Sequence, residues 1–131
     1  MFKGVDHIVV AVKDLDAAVS RYQSIYGMEV SERRDNAAAG MAMAFFRFPE
    51  SYVELVSNLG DTGPIAKRLN DLGEGVHLIA MKVDDLEKTL AELREKGIRL
   101  VGDPGPGNPV KGQVFVHPSM TGGVLTQLVQ R

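Results

Sequence analysis

One segment of this 131-residue chain occurs twice, and that repetition restricts the possible folds more than any other feature. The run Asp6-His7-Ile8-Val9-Val10-Ala11-Val12 has the length and β-branched content of a strand, and Lys13-Asp14-Leu15 opens a helix with an acidic residue at its start. That helix carries Leu15, Val19 and Tyr22 at helical spacing and ends near Gly27. Further on, Val76-His77-Leu78-Ile79-Ala80-Met81-Lys82-Val83 runs into Asp84-Asp85-Leu86 and a helix with Leu86, Leu90 and Leu93 on one face, ending near Gly97. Matching Val12 to Val83 gives an offset of 83 − 12 = 71, and the terminating glycines agree at 97 − 27 = 70. Glu54-Leu55-Val56 matches Gln127-Leu128-Val129 at 127 − 54 = 73. Solenoid repeats have periods of roughly 20–50 residues, so this longer period predicts a duplicated half-domain.

Further strands are expected at Met28 to Arg33, Met41 to Phe48 and Tyr52 to Ser57 in the first half, and at Arg99 to Val101, Gln113 to His117 and Gly123 to Val129 in the second. Thr62-Gly63-Pro64 can start a connecting helix, because proline fits a helical first turn. The expected fold class is α+β: one domain of two tandem βαβββ modules, the first at about 4–58, a connector helix at about 63–72 and the second at about 75–131. Asn36 to Gly40 and Gly102 to Pro109 are rich in small and turn-forming residues, and they read as solvated connections.

Composition removes several function classes. Fifteen Lys and Arg stand against 17 Asp and Glu, with no basic run, so a nucleic-acid partner is not expected. The absence of cysteine excludes disulfides, thiolate nucleophiles and Cys-rich zinc sites. No apolar segment has membrane length, so no membrane partner is expected and a cytoplasmic location is the default.

Strand alternation assigns the faces. If Ile8, Val10 and Val12 lie under the helices, His7 faces the opposite, pocket side. In the repeat, Ile79, Met81 and Val83 take the helix side together with His77, and Leu78, the counterpart of His7, faces the pocket. Placing His77 there would require a one-residue slip that turns the whole apolar set outward, so His77 reads as structural. Val53 and Leu55 are helix-side, which sends Glu54 to the pocket, and Gln127 is its repeat partner.

These residues carry a resemblance. Asp6-His7-Ile8, Gly73-Glu74-Gly75-Val76-His77, Phe115-Val116-His117-Pro118 and Gly123-Val124-Leu125-Thr126-Gln127-Leu128-Val129, in this order along nearly the whole chain, closely resemble methylmalonyl-CoA epimerases, and more distantly glyoxalase I, of the vicinal-oxygen-chelate (glyoxalase/bleomycin resistance/dioxygenase) superfamily. The resemblance implies a curved, barrel-like mixed sheet around a pocket, a homodimer, a small-molecule ligand and a divalent metal ion. His7 and Glu54 match two of the family's metal positions, and Gln127 stands where a carboxylate ligand is usual, so a metal would be held by His7, Glu54 and Gln127. Leu78 occupies the remaining ligand position and Met43 the position of a catalytic glutamate. Met43, Phe45, Leu78 and His117 are expected to line the substrate pocket, with His117 equally suited to stabilising a turn.

Epimerisation beside a thioester needs a base for the α-proton and stabilisation of the enolate oxygen. Met43 cannot accept a proton and Gln127 is not a carboxylate. The expected function is therefore chemistry on a small carbonyl or acyl-thioester compound, altered from epimerisation, with no catalytic residue assigned. The alternatives are metal-free binding of a small ligand, as in the bleomycin-resistance branch, and true epimerisation with an unrecognised base such as Glu54.

Overall fold

The computed structural model describes residues 1–131. In chain order its elements are β1 (Phe2–Ala11), α1 (Leu15–Tyr26), β2 (Glu32–Asn36), β3 (Met41–Arg47), β4 (Tyr52–Asn58), α2 (Pro64–Leu72), β5 (Gly75–Val83), α3 (Leu86–Glu95), β6 (Leu100–Val101), β7 (Val114–Val116), a single 3-10 turn at Pro118–Met120, and β8 (Thr126–Gln130). The two βαβββ repeats are present, and the fold is mixed α+β. No helix is long and apolar enough to cross a membrane.

The duplicated helix openings are built alike. The Asp14 carboxylate accepts the Ala17 N–H at 3.1 Å, and the Asp85 carboxylate accepts the Lys88 N–H at 3.0 Å. Each cap satisfies an amide that the first helical turn leaves without a partner. Gly27, at φ 65°, ends α1 by adopting the left-handed conformation that other residues resist.

By packing, the chain forms two units, His7–His77 and Met1–Asp6 with Leu78–Arg131. In the first, the strands run in the order β2-β3-β4-β1, with β1 and β4 parallel and the others antiparallel. The register pairs His7 with Tyr52, Val9 with Glu54 and Ala11 with Val56, while β3 places Phe45 opposite Glu54 and Met43 opposite Val56. On the other face, Ala42, Ala44, Phe46 and Leu55 meet Leu15, Ala18 and Val19 of α1. Two alanines at alternate positions let the helix approach closely enough for Phe46 to be fully buried.

In the second unit the order is β5-β8-β7-β6. Ala80 lies opposite Gln127, and Gln127 opposite Phe115. Leu90 of α3 packs with Val114, Val116 and Leu128 on the reverse face. The chain's first residues are fastened into this unit: the Asp84 N–H donates to the Met1 carbonyl at 3.2 Å, and the Arg131 guanidinium meets the Asp6 carboxylate at 3.1 Å.

Two strands differ from expectation. β2 was expected at Met28 to Arg33 but spans Glu32–Asn36, because Met28 and Val30 leave the ladder to pack against the α1 core. β8 begins at Thr126 rather than Gly123, since Gly122 and Gly123 adopt positive φ in the preceding turn. The Asn36 to Gly40 segment is a tight hairpin turn, in which the Asn36 side chain accepts the Ala39 N–H at 3.0 Å. Gly40 is required there: at φ 68°, a Cβ would stand 2.8 Å from the Thr62 carbonyl oxygen.

Candidate active site

Glu54 is a carboxylate set among apolar neighbours. Cross-strand partners in a ladder share a face, so Val9 flanks it on one side and Phe45 on the other, with Tyr52 and Val56 before and after it on β4. Val9 is 5% exposed, Phe45 2% and Val56 0%, which removes most of the water that would solvate the charge. Burial raises the Glu54 carboxyl from 4.5 to about 7, even though the guanidiniums of Arg34 and Arg47 act in the opposite direction. A carboxyl near that value exchanges a proton readily at neutral pH.

His7 belongs to the same face. It is buried, and its ring stacks on Tyr52 with centroids 4.4 Å apart and planes 11° from parallel, as the register pairing of the two residues dictates. Tyr52 also meets Phe45 at 5.8 Å. Met43, 8% exposed, shares the face through its pairing with Val56. Within this unit the expected residues His7, Glu54, Met43 and Phe45 thus occupy one surface, opposite α1.

The second unit repeats the frame with different chemistry. Gln127 lies between Ala80 and Phe115, as Glu54 lies between Val9 and Phe45, and it is 9% exposed. Leu78, 7% exposed, has the strand parity of Ala80 and so faces the same way as Gln127. His117 forms the turn after β7: its Nδ1 accepts the Ser119 N–H at 3.0 Å and meets the Ser119 hydroxyl at 2.7 Å. That geometry gives His117 the turn-stabilising role in the structure. His77 is half-buried, and its imidazole is held below its usual range by burial and by the nearby Arg68 charge.

The metal site that the resemblance implies has four donors. His7 and Glu54 supply an imidazole and a carboxylate from one unit. In the other, Gln127 supplies only an amide oxygen, and the isobutyl group of Leu78 supplies nothing where an imidazole would stand. The residues do not fit that four-donor set.

Several residues around Glu54, and one beside Gln127, are not evident from the sequence. Tyr52 is signalled only by standing two positions before Glu54, and Phe115 only by its offset from Phe45, 115 − 45 = 70. Arg34 and Arg47 look like ordinary surface cations, yet both guanidinium carbons lie over the Phe45 ring, at 4.7 and 5.1 Å from its centroid.

The sequence model of the Glyoxalase/Bleomycin resistance protein/Dioxygenase superfamily matches residues 6–115. The chain is 34% identical to an ethylmalonyl-CoA/methylmalonyl-CoA epimerase of Cereibacter sphaeroides, covering 99% of each. It is 35% identical to the mitochondrial methylmalonyl-CoA epimerase of Bos taurus, over 95% of this chain and 73% of that one. Among solved structures it is similar to a Streptomyces coelicolor methylmalonyl-CoA epimerase variant in complex with 2-nitronate-propionyl-CoA, at 34% identity and a TM-score of 0.84, covering 99% and 98%.

Proposed function

The chain belongs to the glyoxalase/bleomycin resistance protein/dioxygenase superfamily, and from that premise we propose that it acts on a small acyl-thioester or carbonyl compound by proton transfer at the carbon beside the carbonyl, with Glu54 as the single base. The observation that carries this reading is the placement of Glu54 between Val9 and Phe45, where desolvation brings its carboxyl to about 7. Similarity to epimerases of methylmalonyl-CoA supports an acyl-thioester as the ligand class.

The carboxylate of Glu54 takes the α-proton, the electron pair moves onto the carbonyl oxygen as an enolate, and the resulting carboxylic acid returns a proton to carbon. Met43 and Gln127 cannot act as a second base, and His7, on the same sheet face as Glu54, is not placed to serve the opposite side of the carbon. A lone base delivers the proton to the face from which it came, so exchange with solvent should outrun inversion. This is how the chemistry would depart from epimerisation.

The experiment is to incubate the protein with single-isomer methylmalonyl-CoA in deuterium oxide and to follow α-deuterium and configuration together. Deuterium incorporation faster than inversion is expected, and Glu54→Gln should slow incorporation by ~10²–10⁴-fold. Inversion that keeps pace with exchange would point instead to a second base and a true epimerase. Binding without exchange would leave the non-catalytic reading, which the apolar Met43 and Leu78 favour.

The reading in which His7, Glu54 and Gln127 hold a divalent ion, with water completing its shell, is decided by metal analysis of the purified protein. A stoichiometric ion supports it, and a metal-free protein that still exchanges deuterium removes it. A homodimer, as the resemblance implies, is checked by light scattering.

A further inference from the structure

We infer that Arg34 and Arg47 form an anion-recognition pair that reads a carboxylate on the ligand. The inference rests on the acyl-thioester reading above and adds which acyl groups that face selects. Register places both residues on the Glu54 face, since Arg34 lies opposite Met43 and Arg47 opposite Tyr52. Aromatic rings fix both guanidiniums: Arg34 lies 4.7 Å from the Phe45 centroid, and Arg47 lies 5.1 Å from Phe45 and 5.2 Å from Tyr52. Stacking occupies the flat side of a guanidinium and leaves its N–H edge available to a planar oxygen pair.

The two cations share a single direct carboxylate partner. Glu32 is the partner of both cations, at 3.0 Å from Arg47 and 3.4 Å from Arg34, so one carboxylate serves two guanidiniums. All three side chains are 42–54% exposed, and a ligand reaches them from solvent. Two like charges on adjacent strands repel, and a structural ion pair with Glu32 would need only one of them. The pair stands over the ring that walls Glu54, where an entering carboxylate loses water and needs a charged donor. Arg33, between Glu32 and Arg34 in sequence, serves as an internal contrast, because it points to the other face and meets Asp16 at 2.7 Å.

The test compares calorimetric binding of succinyl-CoA and butyryl-CoA, four-carbon acyl groups that differ at the terminal carboxylate. The parent protein should bind succinyl-CoA ~10-fold more tightly, as one charge-assisted hydrogen-bond pair implies. Arg34→Gln and Arg47→Gln should each erase that preference with little change for butyryl-CoA. Arg33→Gln should keep the preference, and Arg47→Lys, which retains charge without the fork, should keep part of it.

Equal binding of the two thioesters by the parent overturns the inference. So does an equal loss of both in the glutamine variants, which would assign the pair to the phosphates of the CoA arm. A protein that binds neither thioester overturns the acyl-thioester reading instead. The pair is then judged with free succinate against butyrate, where the absence of a preference overturns the inference as well.

Discussion

Across both ladders that flank it, Glu54 meets hydrocarbon: Val9 on β1 and Phe45 on β3. The cost of that position depends on pH with a definite sign. Because the folded-state value lies above the ordinary one of 4.5, at about 7, the folded chain holds the proton that the unfolded chain has released. Stability is full below about 4.5, declines as pH rises through the interval, and is lowest above about 7, by about 3 kcal/mol. Glu54→Gln should therefore be more stable than the parent at pH 8 and equal to it at pH 4, as read by urea denaturation. An equal gap at both values would show that burial does not set this carboxyl. The proposed exchange should follow the same titration, rising with pH and levelling above about 7 as the basic form fills. The inward direction of Glu54 was readable from alternation alone. Its apolar enclosure was not, because the Val9 and Phe45 contacts depend on registers with two other strands.

At the scale of elements, the duplicated openings of α1 and α3 carry matched caps from Asp14 and Asp85, separated by 85 − 14 = 71 residues. Each alanine substitution, Asp14→Ala and Asp85→Ala, should lower unfolding free energy by ~0.5–2 kcal/mol. Because the caps share no partner, the double variant should show the sum, and thermal or urea melts check this. Helices were legible because caps and apolar spacing are local signals. β2 was not, since its five residues Glu32, Arg33, Arg34, Asp35 and Asn36 are all exposed and carry no apolar alternation. The nearby Met28 and Val30 look like strand but belong to the helix-side core. The cationic pair is illegible in the sequence for a related reason: an arginine on an exposed strand reads as solvated until the ring beneath it is located by register.

At the scale of the whole molecule, the sequence repeat and the packing units divide the chain differently. Met1–Asp6 packs with Leu78–Arg131, although Asp6 and His7 are consecutive and lie in one strand, and Gly75–His77 of β5 packs with the first unit. A cut in the 58–64 connection therefore leaves each fragment short of a strand segment that its core uses. Residues 1–60 and 61–131 expressed separately should lack cooperative melting, and co-expression should restore it. Independent folding of either fragment would show that the exchanged segments are dispensable.

The twin frames around Glu54 and Gln127 also let one half of the chain serve as a control for the other. Each sets one polar side chain between an aliphatic residue on one neighbouring strand and a phenylalanine on the other, Val9 and Phe45 in the first and Ala80 and Phe115 in the second. Gln127→Glu should therefore give the second frame a carboxyl that burial between Ala80 and Phe115 holds above the usual range, which the pH dependence of the variant's stability would read.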